Sequence, residues 1–230
     1  SNMVIRVPNT DVSQYEGDVT DTAQDQFTDL GAEHFCVVDT SWTQTAIQSC
    51  MDTQQAMILL PGVYQGHYKM QQKGFVLLGL GYPRIQTDQS GSDGVQGQSA
   101  VNVLNNNVTV AGVMLEDANV SSRTLNTSLL KLGVSKGDGL SDGAHLYDVL
   151  VRLTTDQYAC ATDPFGFYPS IEVYGSDVIG DNLWLWAKDS DGSQQSWAAN
   201  GLEINGDRDV MFGLAVEHFY GYQTQWNGDK

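Results

Sequence analysis

Basic residues are scarce in this chain. Its 230 residues hold 11 Lys and Arg against 28 Asp and Glu, a formal net charge of −17 with a pI near 4.2. Phosphate backbones and anionic bilayers repel such a chain, which argues against nucleic acid and membrane surfaces as partners. Long apolar runs are missing as well: none approaches the ~18 residues that a membrane-spanning helix needs. Met3-Val-Ile-Arg-Val-Pro8 is too short and too quickly polar for a secretory leader, and Ser1-Asn2 ahead of it read as a cloning remnant. There are only three cysteines, Cys36, Cys50 and Cys160, with no CxxC spacing, so neither a disulfide scaffold nor a zinc site is indicated. A Cys36–Cys50 bridge and three buried thiols are both compatible with this pattern. Glutamate is rare too: six of the acids are Glu and 22 are Asp. Asp, together with 24 Gly, favours turns over helix interiors, which speaks against a helical bundle. A 41% hydrophobic and 10% aromatic content speaks against disorder as well.

What the chain does have is repetition. Val101–Leu115, Ile171–Leu185 and Leu202–Val216 share one plan: a short strand with apolar ends, a polar Asn/Asp/Gly corner, a Val, a Gly- or Asn-bearing bend and a second apolar strand. Fragments of the plan recur at 56–60, 75–78, 128–132 and 145–153. A unit that cannot bury its own apolar face, repeated at 20–50 residues, predicts a stacked solenoid. Period-two alternation and sharp corners make it a β-helix, with Val101, Val103, Ile171, Val173, Leu202 and Ile204 pointing inward. A β-sandwich would also show many short strands, but not the same corner at the same place in each unit. The expected class is therefore all-β, a parallel β-helix with a short N-terminal helix and cap. Residues 1–35 read as a polar arm with at most one or two strands, and 36–230 as one β-helix domain. The helix is expected around Ala46–Met51, capped by Asp39 or Thr40, with Trp42, Ile47, Cys50 and Met51 on one face. Asn107, Asn119 and Asn126 stand in N-x-[ST] sequences, which matter only in a secreted, glycosylated protein.

Leu59-Leu-Pro-Gly-Val-Tyr64 followed by Val76-Leu-Leu-Gly-Leu-Gly81 is similar to the entry of right-handed parallel β-helix domains of the pectate-lyase-like superfamily. Asp177–Trp186, Gly206–Val210 and Gly213–Phe219 with Tyr222–Gly228 resemble a narrower group of large secreted proteins. That group is often named for a coagulation factor 5/8 type domain or an adenylyl cyclase. The resemblance covers roughly residues 36–228 and implies an extracellular, carbohydrate-active solenoid. The group usually carries Arg-Ala-Asp-His after the Trp-x-Trp pair. Here the run is Ala187-Lys-Asp-Ser190, which keeps Asp189 alone. The group's domain also runs on beyond Trp-Asn-Gly, so the chain looks like a partial or short member. No nucleotide-binding loop or paired-metal pattern supports a cyclase.

On a β-helix, aligned outward side chains of neighbouring coils form a shallow groove. Trp184, Trp186, Asp189, Asp191 and Trp197 cluster in sequence, and Glu217, His218, Tyr220, Tyr222, Gln223 and Trp226 follow the equivalent strand one coil later. Asp189 and Glu217 are the candidate pair of catalytic carboxylates, with His218 beside them. Trp184, Trp186, Asp191, Trp197, Tyr222, Gln223 and Trp226 are candidate substrate-binding residues, since aromatic faces stack on pyranose rings. For the two Trp of Trp184-Leu-Trp186, groove lining and core packing weigh equally. Asp207 and Asp209 at a corner are too few to assign calcium, and no other metal or cofactor is indicated. A lyase would need basic residues above the groove, where only Arg152 and Arg208 are available. A serine triad is not indicated: there is no G-x-S-x-G, and none of the four His (His34, His67, His145, His218) has a Ser in recognisable context. The expected partner is a neutral, glucan-type polysaccharide, and the expected activity a secreted glycoside hydrolase. A non-catalytic glycan-binding or structural solenoid is the alternative.

Overall fold

The structure is a computed structural model, and it describes residues 4–8, 27–87, 98–116, 128–153, 169–187, 200–219 and 221–229. An antiparallel pair, β1 (Val4–Pro8) and β2 (Phe27–Gly31), precedes β3 (Phe35–Val38) and the helix α1 (Gln44–Thr53). The chain then winds in coils of three strands. The first holds β4 (Ala56–Leu59), β5 (Val63–Gln65) and β6 (Tyr68–Met70). The second holds β7 (Val76–Gly79), β8 (Arg84–Gln86) and β9 (Val101–Val103), and the third β10 (Thr109–Ala111), β11 (Met114–Glu116) and β12 (Leu130–Leu132). The fourth holds β13 (His145–Tyr147), β14 (Leu150–Leu153) and β15 (Ile171–Val173), and the fifth β16 (Ile179–Asp181), β17 (Trp184–Ala187) and β18 (Leu202–Ile204). The sixth holds β19 (Val210–Phe212), β20 (Ala215–Glu217) and β21 (Thr224–Trp226). Like strands of successive coils pair in parallel, giving three sheets of seven, six and six strands around one core: a parallel β-helix.

The repeat unit is thus three strands, not the two expected. The overlooked strand is the short middle one, β10, β16 or β19, hidden because Gly or Asn begins the next bend immediately after it. The lone Val before it is a buried corner residue: Val108 and Val178 are fully buried, as is Phe75 in the second coil. Inward side chains stack in columns fixed by the register. One runs Tyr64, Ile85, Leu115, Val151, Leu185 and Val216. Another runs Met70, Val103, Leu132, Val173, Ile204 and Trp226. Each fully buried aliphatic side chain contributes roughly 1.5–3 kcal/mol, and the columns repeat that gain coil after coil.

The Asn/Asp corners have their own ladder. Asn106 Oδ1 accepts the Asp142 N–H (3.2 Å), Asp142 Oδ1 the Ser176 N–H (2.8 Å), Ser176 Oγ the Asp207 N–H (3.2 Å) and Asp207 Oδ1 the Asp229 N–H (2.8 Å). Short polar side chains are needed there because each satisfies a backbone donor of the next coil. Asn107, Asp177 and Arg208 turn these corners in the left-handed region.

The helix is longer than expected and its cap differs. Thr43 Oγ1, not Asp39 or Thr40, accepts the Ala46 N–H at 3.2 Å. Asp39 instead accepts from Ser41, and Trp42 lies ahead of the helix, exposed. Ile47, Cys50 and Met51 are buried over the first coil as expected. Cys36 and Cys50 form a disulfide between β3 and α1, so the bridge and not the free thiols is realised at these two positions. Closing so short a loop removes about 3 kcal/mol of unfolded-chain entropy. Cys160 lies outside the described residues. Leu30 and Phe35 form a second cluster with Ala56, Ile58 and Val76, against which Ile5 of the N-terminal pair packs.

Candidate functional site

The sheet made of β5, β8, β11, β14, β17 and β20 carries the site. Because side chains alternate along a strand, two outward columns flank its inward one. The first is Val63, Arg84, Met114, Leu150, Trp184 and Ala215. The second is Gln65, Gln86, Glu116, Arg152, Trp186 and Glu217. Trp184 and Trp186 therefore both point outward, and Trp184 is 48% exposed. Glu217 is the direct register neighbour of Trp186, one strand spacing away, and its Oε1 accepts the indole N–H of Trp184 at 3.1 Å. A carboxylate in such a position is oriented by the indole but left open to solvent. It keeps further lone pairs for a ligand hydroxyl or a water.

The other candidates spread further. His218 ends β20 in the left-handed region at φ 67 and is exposed. Tyr222 is 65% exposed in the turn that leads to β21, its backbone N–H held by Asn200 Oδ1 at 2.9 Å. Gln223 spends its amide on the Phe219 backbone, accepting from the N–H (3.2 Å) and donating to the carbonyl (2.9 Å), which fixes that same turn. Trp226 belongs to a different sheet, in register with Ile204, and is 47% exposed on the last coil. The third strand of each coil turns the chain away from the Glu217 face, and so neighbours in sequence part in space. Asp189, Asp191, Trp197 and Tyr220 lie outside the described residues, as do Asn119 and Asn126.

At the Asp207–Asp209 corner, Asp207 binds Lys136 at 2.8 Å, and that bond holds its carboxyl below the usual range. Among the described residues no group of three or more His, Cys, Asp or Glu is placed to hold a metal. Asp209 accepts the Val178 N–H at 2.8 Å while its other oxygen is buried without a partner. Burial, aided by Asp177 and Asp207, pushes its carboxyl up to about 6. The folded state thus disfavours ionised Asp209: the penalty is absent below pH ~4, grows as the pH rises and is complete above pH ~6. Asp209→Asn, which keeps the acceptor for Val178, should leave Tm unchanged near pH 4. At pH 7.5 it should raise Tm by about 3–5 °C, as thermal scans at the two pH values would show.

Sequence reasoning missed one part of the sheet. Glu116, 2% exposed, takes hydrogen bonds from Arg84 Nη1 (3.2 Å) and Gln86 Nε2 (3.0 Å) on Oε2, and from Arg152 Nη2 on Oε1. These residues are some 30 apart in sequence, and only the register brings them together. The signal was there in the third position of each such strand, read as Gln86, Glu116, Arg152, Trp186, Glu217.

A three-sided parallel coil with its polar and aromatic residues aligned on one outer sheet defines a pectate-lyase-like β-helix. More narrowly, the chain belongs to the LAM55 pectate lyase-like domain family, whose model matches residues 35–230. It is 31% identical over 209 residues to an exo-β-1,3-glucanase of Streptomyces sp. (strain SirexAA-E / ActE), a match that covers 87% of this chain and 32% of that protein. The solved structure of sacteLam55A from Streptomyces sp. SirexAA-E superimposes with a TM-score of 0.72 at 25% identity, over 93% of this chain and 37% of that one. A single-substitution variant of sacteLam55A in complex with glucose superimposes with a TM-score of 0.64 at 25% identity, over 88% and 35% of the two chains. The chain thus spans about a third of the length of these relatives.

Proposed function

We propose that this chain is a glycoside-hydrolase-type β-helix that acts on a neutral β-1,3-glucan, with Glu217 as one of its catalytic carboxylates. The observation that carries this reading is the outward Glu217 set against Trp184 and Trp186 on adjoining coils. Pyranose rings stack on the indoles, and the carboxylate beside them reaches the glycosidic oxygen or a water. Asp189, which follows β17 in the sequence, is the proposed second carboxylate, and Asp191 and Trp197 are proposed to bind substrate with it. His218 and Tyr222 extend the polar and aromatic rim. The relative named as an exo-β-1,3-glucanase and the neighbour holding glucose support a sugar of this class. An extracellular location is proposed on the Cys36–Cys50 disulfide, which persists in oxidising compartments.

The test is release of new reducing ends from β-1,3-glucan, measured beside binding of the same glucan. Glu217→Gln should lower hydrolysis on the order of 100-fold, with Asp189→Asn doing the same and binding changing little in either. Unchanged hydrolysis in both variants would overturn the assignment. A second reading, a non-catalytic glycan-binding module, is favoured by one observation. Among the described residues Glu217 is the single acid in the fifth and sixth coils of this sheet. Binding without new reducing ends would select it.

A further inference from the structure

We propose that the cleft at the N-terminal end of the same sheet is a second binding site, for a sugar that carries a carboxylate, such as a uronic acid residue. The cleft has a volume of about 500 Å3 and is lined by Gly62, Val63, Tyr82, Arg84, Met114 and Arg152, with Gly81 at its rim. That is the size range of small-ligand sites.

Charge is the first argument. Arg6 and Arg208 each have an aspartate of their own, Asp29 and Asp177. Among the described residues Arg84 and Arg152 share a single acid, Glu116, whose two oxygens already accept three hydrogen bonds. The cluster holds one positive charge in excess, within a protein of net charge −17. An ion pair built for stability alone has no use for the second cation. One carboxylate would balance the surplus, whereas a phosphate would overshoot it.

Donor geometry is the second. Glu116 is buried, but the side chains of both arginines are 42% exposed. Each fork presents five N–H donors, of which the shared acid uses one apiece. Arg152, which lines the cleft, also has its Nε buried with no partner. Planar guanidinium groups match a planar carboxylate in two-point fashion.

The third argument is the apolar wall. Tyr82 is 41% exposed and lies at φ 54, directly before Pro83. A residue ahead of proline ordinarily takes an extended conformation, and left-handed backbone costs a non-glycine residue ~1–2 kcal/mol. The Gly81–Tyr82 turn holds that strain and presents the ring at the cleft, with Val63 and Met114 as an apolar floor. An aromatic face beside two cations suits a pyranose with an anionic substituent better than a bare anion. Arg152 is also the register neighbour of Trp186. The cleft therefore adjoins the tryptophan pair at a strand spacing of about 4.8 Å. An acidic branch or end unit would sit here while neutral residues lie over the indoles.

The site lies two strands from Glu217, with Trp186 between Arg152 and that carboxylate. Glu217→Gln should lower hydrolysis on the order of 100-fold and leave uronide binding intact, so the two readings fail separately. The experiment is calorimetric or NMR titration of the 230-residue protein with methyl β-glucuronide, methyl β-glucoside and acetate. The glucuronide should bind about tenfold tighter than either of the others. Arg152→Gln and Arg84→Gln should each remove that advantage, and Tyr82→Ala, which does not touch Glu116, should bring the glucuronide close to acetate. Should the arginine variants fold poorly, as judged by circular dichroism, Tyr82→Ala and weakening by 0.5 M salt decide the matter. Equal affinity for glucoside or acetate, absence of saturable glucuronide binding, or full affinity in well-folded variants would overturn the proposal.

Discussion

Gly206→Ala is expected to be among the most damaging single-atom-scale changes in this protein, costing about 3 kcal/mol or more. Gly206 stands at the corner between β18 and β19, in a stack with Gly175 above and Gly228 below. A Cβ on Gly206 would overlap the Gly175 carbonyl oxygen, lie 2.6 Å from its carbonyl carbon and 2.7 Å from Asp209 Oδ2. One on Gly228 would in turn overlap the Gly206 carbonyl oxygen. The backbone here is not in the left-handed region, so the glycine is required by contact and not by conformation. Because the obstacle is backbone, no side chain can swing aside, and the coil itself has to shift against hydrogen bonds such as Gly206 N–H to Val173 O. At 2–4 °C per kcal/mol for a chain of this size, Tm should fall by about 6–12 °C. Gly137→Ala is the control: a Cβ there meets nothing within 4 Å, and only its φ of 81° resists substitution. It should cost about 1 kcal/mol. If the two variants melt together, the coils are not in the tight contact that the glycine stack implies.

This corner also shows what was and was not legible in the sequence. Apolar ends at Ile171, Val173, Leu202 and Ile204 revealed the stacking because an inward residue has one requirement only, to be apolar and to fit. All four are fully buried. The recurring Asn and Asp corners were legible because each must supply an acceptor to the coil beyond. The middle strand was not, since three residues with one inward side chain make no period that can be seen, and in β16 that side chain is absent altogether at Gly180. The same blindness affected the site. Trp186 and Glu217 could be placed side by side from two matched repeats, but Trp226 was carried along by sequence proximity and belongs to another sheet. Glu116 escaped notice because its partners sit on other coils, and nothing local distinguishes a buried, saturated glutamate from an exposed one. Reading a solenoid's surface requires aligning every coil, including those whose repeats have drifted.

Glu116→Ala is the other large effect expected. The residue is nearly inaccessible, and its carboxylate is the common acceptor of Arg84, Gln86 and Arg152. Removing one partner of a buried ion pair ordinarily costs 3–5 kcal/mol, because the remaining charge is left uncompensated. Two features bear on that figure here. The arginines are half exposed and recover part of their hydration, which lowers the cost. On the other side, two like charges on the second and fourth coils lose the anion that stands between them, and the unpartnered Arg152 Nε is joined by donors that have lost their acceptor. About 3 kcal/mol is the expected balance, read as a shift in the midpoint of urea unfolding. Glu116→Gln should fall between, since an amide oxygen still accepts one or two of the bonds but supplies no charge. The diagnostic measurement is the double-mutant cycle. If Glu116 acts by joining the two guanidinium groups, Arg152→Ala should remove much of the loss caused by Glu116→Ala, giving a coupling of about 1–3 kcal/mol. If the losses merely add, Glu116 is held by its packing and by Gln86 alone, and the arginines are free to serve the cleft without it.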